Sequence, residues 1–183
     1  MPANWTVLSS RYVLENRWLK VREDRCRTGH GAIVDSYYVV ERSDFAMVVP
    51  LTADRQVVLV RQYKHGCGQV VTECPAGYIA PGEAPARAAA RELREETGYV
   101  AERWQPLGSL FASPATQRHR MHLFLCQGLT RAGEQDLDPA EDIEVLLLDF
   151  ATVLARLRRN ELVIDTASVS ALQLAEARLR EAQ

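Results

Sequence analysis

Apolar and β-branched residues cluster in a series of short segments along most of the chain. Residues 46–51 (AMVVPL) and 56–63 (QVVLVRQY) are rich in strand-forming residues and flank the polar segment TADR. This pattern predicts a β-hairpin. Comparable segments predict further strands at residues 69–73, 105–112, 120–127 and 143–148.

The beginning of the chain has a similar strand-like character. Residues 11–41 predict short strands around a turn at Thr28-Gly29-His30-Gly31, because glycines among polar residues favour tight turns. Helical patterns occur instead near residues 149–159 and 166–181. Strands and helices interspersed in this way predict a mixed sheet with helices packed on its faces.

Another helix is predicted between two breaks in the chain. Pro85 suits the first turn of a helix, where a missing N–H costs nothing, and Gly98 suits the left-handed position after the last turn. Spacing of i, i+3, i+4 and i+7 predicts a buried stripe on this helix, formed by Ala86, Ala89, Ala90 and Leu93.

The same helix carries three glutamates within five residues. Glu92 and Glu96 are one turn apart and share a face, and Glu95 lies beside them. Like charges at this spacing repel, and a divalent cation between them would remove the repulsion, since Mg²⁺ prefers carboxylate oxygens. The alternative is a solvated helix face without a ligand. In both cases the acidic face is expected to point outward.

Composition and charge narrow the class of protein. The chain has 183 residues, enough for a domain with a sizeable core, and a net charge of -2, which gives no basic field for nucleic acid. No apolar run reaches about 18 residues, so no membrane span is predicted. Residues 1–10 lack a signal-peptide pattern. A cytoplasmic protein with reduced thiols is expected, because no C-x-x-C pair occurs among Cys26, Cys67, Cys74 and Cys126.

A longer pattern spans residues 77–99, Gly-x5-Glu-x7-Arg-Glu-U-x-Glu-Glu-x-Gly-U, in which U is a bulky apolar residue. Its specified positions are Gly77, Glu83, Arg91, Glu92, Leu93, Glu95, Glu96 and Gly98. This pattern resembles the signature of the Nudix hydrolase superfamily. The one departure is Tyr99 at the last U position, where the side chain is bulky but carries a hydroxyl.

The resemblance implies a hydrolase that cleaves a diphosphate linked to a nucleoside and depends on Mg²⁺, for which Mn²⁺ can substitute. It also implies the Nudix fold, an α/β (α+β) arrangement. That fold is an α/β/α sandwich with a mixed sheet, here preceded by an N-terminal antiparallel β-sheet.

Segments outside the signature resemble the ADP-ribose and nucleoside-diphosphate-sugar pyrophosphatase branch. They are Arg61-Gln62-Tyr63-Lys64, Glu73-Cys74-Pro75-Ala76-Gly77, Pro114, and the stretches at 140–145 and 165–169. The resemblance implies hydrolysis of ADP-ribose or a nucleoside-diphosphate hexose to a nucleoside monophosphate and a sugar phosphate. Ala115 replaces a glycine typical of the ADP-ribose members, which leaves room for a hexose-type sugar.

The same resemblance implies how the chain is divided. Residues 1–45 are expected to form an N-terminal β-strand extension, and residues 46–183 the Nudix hydrolase domain. Members of this branch usually form homodimers that share or exchange their N-terminal strands. The strand-rich start of the chain is consistent with such a homodimer.

The resemblance also assigns roles around the signature. Glu92, Glu96 and then Glu95 are the expected metal ligands, joined by the carbonyl of Ala76. Arg91 is expected to support catalysis by holding a signature carboxylate in its rotamer. Glu83 is expected to bond within the loop and helix, and its alternative role is that of a peripheral metal ligand.

Further roles are carried over to residues outside the signature. Glu141 is the expected general base, with Asp142 and Glu144 as alternatives in the same acidic segment. The expected substrate-binding residues are Arg61, Glu73 and Arg120. A guanidinium such as that of Arg61 matches phosphate oxygens in a bidentate manner.

Two other functions remain open at this point. One is a Nudix hydrolase of another nucleotide class, such as dinucleoside polyphosphates, coenzyme A or capped RNA. The near-neutral charge counts against RNA. The other is a noncatalytic Nudix binding module, although such modules commonly lose signature glutamates and this chain keeps all of them.

Overall fold

The computed structural model describes residues 3–17 and 19–181, and the chain divides into two compact units. The N-terminal unit comprises Met1–Ser43 together with Phe111–Arg120. The second unit comprises Asp44–Leu110 and Met121–Gln183. The segment Phe111–Arg120 therefore belongs with the N-terminal strands, which the sequence pattern did not indicate.

The N-terminal unit is built on an antiparallel sheet of order β1-β2-β3. Its strands are β1 (Thr6–Glu15), β2 (Lys20–Arg27) and β3 (Ile33–Glu41). The turn between β2 and β3 lies where the sequence predicts it: Thr28 N–H donates to Ala32 O at 2.8 Å, and Gly31 N–H donates to Thr28 O at 3.0 Å. Gly31 has a φ of +89°, a conformation that favours glycine.

The segment Phe111–Arg120 is held to strand β3 by hydrogen bonds within this unit. Val40 N–H donates to Thr116 O at 2.8 Å, and the Tyr37 hydroxyl donates to the Ala115 carbonyl. Strand β1 is the other edge of the sheet, and all its residues are exposed. In the N-terminal unit, the β3 edge of the sheet is thus bonded to the segment Phe111–Arg120, whereas the β1 edge exposes its apolar side chains.

The second unit contains a mixed sheet. Its strands are β4 (Phe45–Leu51), β5 (Gln56–Lys64), β6 (Gln69–Glu73), β7 (Ala76–Tyr78), β8 (Tyr99–Phe111), β9 (Arg120–Arg131) and β10 (Ile143–Asp149). The strand order is β10-β5-β4-β9-β8, with β6 paired to β5 and β7 paired to β4. Strands β4 and β5 are antiparallel, whereas β4 and β9 are parallel. The predicted hairpin at 46–63 and the mixed sheet are both confirmed.

Alternation along β4 explains how helices cover both faces of this sheet. Ala46 and Val48 point to one face, where they pack with Leu93 of helix α1 (Pro85–Thr97). Met47 and Val49 point to the other face, where they meet helices α2 (Phe150–Arg158) and α3 (Thr166–Glu181). Because successive strand residues alternate in direction, one strand serves both cores. The predicted α/β/α sandwich is therefore confirmed.

Helix α1 begins and ends as the sequence predicts, but its buried face is rotated. Pro85 occupies the first turn, and Gly98 closes the helix with a φ of +72° and an N–H bond to Arg94 O at 2.8 Å. The predicted stripe is wrong at Ala86, which is exposed. Alanines on several sides of the helix made the stripe ambiguous. The buried residues are Ala88, Ala89, Leu93, Glu96 and Thr97.

Helix α3 fixes the start of the segment that leads into β7. The Ser168 side chain is fully buried, and its Oγ accepts a hydrogen bond from Cys74 N–H at 2.8 Å. Asp165 caps the helix by accepting from the N–H groups of Ala167 and Ser168 at 3.0 and 3.2 Å. The chain is thereby anchored just before Pro75 and the start of β7. None of the helices in the described part of the chain has the length and apolar character needed to cross a membrane.

Candidate active site

A cleft of about 680 Å³ lies where helix α1 meets strand β7, entirely within the second unit. Its lining is dominated by charged side chains, most of them acidic. The lining residues are Gln62, Lys64, Ala76, Gly77, Tyr78, Arg91, Glu92, Glu95, Glu96, Asp136, Leu137, Asp138 and Glu141. The structure therefore gathers the signature carboxylates and Glu141 around one cavity.

Gly77 leaves room for the Glu92 carboxylate beside strand β7. The strand pairs with β4, with Gly77 opposite Ala46. A Cβ atom built on Gly77 would overlap the Glu92 carboxylate. The absence of a side chain therefore lets the Glu92 carboxylate lie directly against the strand backbone.

The Arg91 guanidinium links the loop before the helix to the glutamates on it. Its Nε and Nη2 donate to the two Glu83 oxygens at 3.1 and 3.2 Å. Its Nη1 donates to Glu92 Oε1 at 2.7 Å and to Glu95 Oε2 at 2.9 Å. Nη2 also donates to the Tyr78 carbonyl at 3.1 Å. Three carboxylates and the end of β7 are thus held by one planar cation, a geometry that lysine cannot reproduce.

Glu96 lies in the interior instead of on a solvent-facing surface. Its exposed fraction is 4%, and Oε2 accepts a hydrogen bond from Ala76 N–H at 3.0 Å. The expectation of an outward acidic face is wrong for this residue, because the rotation of α1 turns it toward β7. Burial raises the pKa of Glu96 to about 8, and the neighbouring carboxylates of Glu92 and Glu141 add to the rise. Burial also raises the pKa of Glu92.

The donor groups in the cleft fit a hard divalent cation. Glu92, Glu95 and Glu96 supply carboxylate oxygens, and Ala76 supplies a carbonyl on the adjacent strand. These carboxylates are partly or fully buried and repel one another. Among the residues that line the cleft, only Arg91 and Lys64 carry a compensating positive charge. As the described side chains stand, no three acidic, histidine or cysteine groups converge on one point. The Arg91 guanidinium lies between Glu92 and Glu95 instead.

Glu141 is held in a tight turn at the rim of the cleft. Its N–H donates to Asp138 O at 2.9 Å, and its Oε2 accepts from Asp138 N–H at 3.0 Å. Glu144, an alternative to it as general base, is paired with Arg61 at 2.8 and 2.5 Å. Glu141 lines the cleft, whereas Asp142 and Glu144 are not among the lining residues.

Strand alternation decides which residues of β5 reach the cleft. Gln62 and Lys64 line it, whereas Arg61 lies on the other face of the strand, opposite Glu144 of β10. Glu73 bonds to both lining residues, accepting from Gln62 Nε2 at 3.2 Å and pairing with Lys64 Nζ at 2.9 Å. Burial raises the pKa of Glu73. Sequence reasoning missed Gln62 and Lys64, which the period-two pattern of this strand could have identified.

Arg120 and the two aspartates of the cleft belong to different units. Arg120 belongs to the N-terminal unit, where its guanidinium lies 4.3 Å from the centroid of the Phe111 ring. Asp136 and Asp138 line the cleft next to the signature glutamates. No sequence signal distinguished these two aspartates from an ordinary acidic loop. The roles assigned to Arg61, Glu73 and Arg120 remain predictions.

We predict that Glu96→Gln stabilises the metal-free protein at alkaline pH. The pKa of Glu96 rises from its ordinary value of 4.5 to about 8 on folding. The stability that the protonated group provides is present below the unfolded pKa and is lost as the pH rises through the folded one. Neutral glutamine avoids this loss, which is on the order of a few kcal/mol. Urea unfolding in EDTA, from about pH 5 to about pH 9, measures how the unfolding free energy of each protein changes with pH.

Glu95→Gln is the matched control for this measurement. The Glu95 side chain lies on the same helix but is 32% exposed, so its removal is expected to change the unfolding free energy by at most about 0.5 kcal/mol. If the unfolding free energies of the wild type and Glu96→Gln had the same pH dependence, the raised pKa of a buried Glu96 would be disproved.

Comparisons with known proteins agree with this architecture. A solved structure of an ADP compounds hydrolase has a TM-score of 0.84 and 25% identity, covering 100% of this chain and 97% of that one. An ADP-ribose pyrophosphatase of Mycobacterium tuberculosis is 30% identical over 92% of this chain and 82% of its own. A methanol dehydrogenase activator of Bacillus methanolicus is 29% identical over 91% of this chain and 89% of its own.

Two family models divide the chain between them. A nucleoside diphosphate sugar hydrolase N-terminal domain matches residues 5–40, and the NUDIX domain matches residues 42–165. The second match covers the mixed sheet, helix α1 and the cleft with its glutamates. The chain therefore belongs to the Nudix family of hydrolases.

Proposed function

We propose that this enzyme hydrolyses the diphosphate bond of a nucleoside-diphosphate sugar in the presence of Mg²⁺. The substrate is ADP-ribose or a nucleoside-diphosphate hexose, and the products are a nucleoside monophosphate and a sugar phosphate. The observation that carries the proposal is the cleft in which Glu92, Glu95, Glu96 and Glu141 meet. The similarity to an ADP-ribose pyrophosphatase and to an ADP compounds hydrolase supports the choice of substrate.

The metal-binding residues in this proposal are the three glutamates of α1 and the Ala76 carbonyl. When bound there, a divalent cation neutralises diphosphate oxygens and acidifies water. The protein's part is to keep these oxygen donors in place. Arg91 does so for Glu92 and Glu95, and the Ala76 N–H does so for Glu96.

The remaining groups act on the attacking water and on the substrate. Glu141 accepts the proton of the water, since its carboxylate lines the cleft. Lys64 contributes positive charge for the diphosphate from strand β5. Arg61, Glu73 and Arg120 are the further substrate contacts that the family resemblance suggests.

We predict that the purified protein cleaves ADP-ribose or another sugar nucleotide with Mg²⁺ or Mn²⁺ and is inactive in excess EDTA. The reason is that clustered carboxylates need a cation before a polyanionic substrate can approach. A phosphatase-coupled phosphate assay over a panel of sugar nucleotides, dinucleoside polyphosphates, coenzyme A and capped RNA measures the activity. Turnover of another nucleotide class only would show a Nudix hydrolase of that class instead. Metal binding without turnover would show a noncatalytic binding module. Full activity in EDTA would disprove the metal requirement.

We predict that Glu141→Gln lowers kcat by roughly a hundredfold or more, because a positioned general base typically contributes about that factor. Glu144→Gln is the matched control, since it removes the same charge three residues away at a side chain paired with Arg61. Its kcat is expected to stay within about threefold of the wild type. Steady-state kinetics at saturating Mg²⁺ distinguishes the two, and the opposite ranking would transfer the role to Glu144.

We also propose a homodimer formed through the N-terminal strands. Strand β1 is an edge strand whose apolar side chains are exposed, including Val7 at 53% and Tyr12 at 47%. An exposed apolar surface of this kind is typical of a protein–protein interface. In a two-fold dimer, the β1 strands of the two copies would pack against each other.

Light scattering is expected to give a mass near twice the 20.5 kDa of one chain. Val7→Arg should shift the mass toward the monomer, because it places a charge in the apolar surface of β1. Val163→Arg is the matched control, since Val163 is also 53% exposed but lies in the second unit. A wild-type mass near one chain at micromolar concentration would disprove the dimer.

A further inference from the structure

The segment between β9 and β10 is attached to the last turn of helix α1 by backbone hydrogen bonds. The final carbonyl groups of a helix have no partners within the helix. Here Asp136 N–H donates to Glu95 O at 2.8 Å, and Ala132 N–H donates to Gly98 O at 2.8 Å. The end of the helix that carries the signature glutamates therefore serves as the attachment point for this segment.

Gln135 closes the loop of residues 136–142 at both of its ends. Its side-chain Nε2 donates to Glu96 O at 2.7 Å and to Ile143 O at 3.0 Å. Both acceptors are carbonyl oxygens, so only the NH₂ group of the amide can serve them. One side chain thus joins the helix, the start of the loop and the first residue of β10.

Gly98 makes room for this attachment. Its φ of +72° turns the chain out of the helix, and a Cβ atom at this position would overlap the Gly133 carbonyl. The loop backbone consequently lies directly against the end of the helix. This contact and the two backbone hydrogen bonds bring Gln135 within reach of Glu96 O.

Apart from these bonds, the loop is attached to the helix by the exposed ion pair of Asp136 with Arg94, at 3.6 Å, which contributes little. Within residues 136–142, all of which the structure describes, no side chain is fully buried. Its internal bonds join Asp138 to Glu141 and orient the Glu141 carboxylate locally. Because packing contributes little, the hydrogen bonds at its two ends determine where the loop lies relative to α1.

We propose that Gln135 is a positioning residue, which sets the Glu141 carboxylate at its working distance from the glutamates of helix α1. The inference rests on the proposed hydrolysis and adds a residue that touches neither substrate nor metal. It acts through the backbone at Glu96 and Ile143. Proton transfer depends steeply on distance, so a small displacement of the loop lowers the rate while substrate and metal still bind.

The first test is the kinetics of Gln135→Leu, which removes both N–H donors and leaves an apolar side chain of similar size. The expected result is a kcat lowered by about ten- to a hundredfold, with KM and Mn²⁺ affinity within about threefold of the wild type. Glu134→Gln is the matched control, because the Glu134 side chain is 90% exposed in the same segment. Its kinetics should match the wild type. Gln135→Ala serves if Gln135→Leu does not fold.

A double-mutant cycle with Glu141→Gln separates positioning from a general structural role. If Gln135 acts through Glu141, the double variant is no slower than Glu141→Gln alone, because a displaced base and a missing base cost the same step. Losses that multiply, or a kcat of Gln135→Leu equal to that of the wild type, would overturn the inference.

Amide hydrogen exchange tests the inference without any turnover. Residues 136–142 should exchange faster in Gln135→Leu than in the wild type, whereas helix α1 should be unchanged. Equal exchange of the loop in the two proteins would overturn the positioning role. If the wild type fails to hydrolyse any sugar nucleotide, the proposed function fails, and loop exchange still decides whether Gln135 holds the loop.

Discussion

The burial of a carboxylate between helix α1 and strand β7 is the constraint on which the rest of the site depends. Glu96 is 4% exposed and bonded to Ala76 N–H. A buried carboxylate is costly unless it is protonated or paired with positive charge, and burial indeed raises the pKa of Glu96 to about 8. Folding therefore places negative charge where it is costly, and a bound divalent metal would reduce that cost.

The residues around the site make room for its carboxylates and neutralise part of their charge. Gly77 lets the Glu92 carboxylate approach the strand, and the Arg91 guanidinium neutralises part of the charge of Glu83, Glu92 and Glu95. Removing Arg91 would leave several carboxylates close together in a partly buried place. The arginine of the signature is thus a structural requirement of the acidic helix.

Glu141, the proposed general base, lies on a loop with little buried surface. The loop with Glu141 obtains its position from the end of α1, through Gln135, Gly98 and the backbone at Glu95. The helix therefore carries the proposed metal-binding carboxylates on its side chains and anchors the acidic loop through its terminal carbonyls. Two parts of the proposed chemistry share one rigid element, which keeps their separation constant while the loop surface stays open to substrate.

Local patterns in the sequence were sufficient for much of this protein. Most of the strands and the ends of α1 at Pro85 and Gly98 follow from backbone preferences and short-range periodicity. The short strand β7 was not predicted, and β8 begins at Tyr99, before the predicted 105–112. Tertiary structure decided the rest. The face of α1 that is buried, the orientation of Arg61 away from the cleft, and the placement of Gln135 depend on contacts between residues distant in sequence. A helix rich in alanine has no unique apolar stripe, and only the sheet against which it packs selects one.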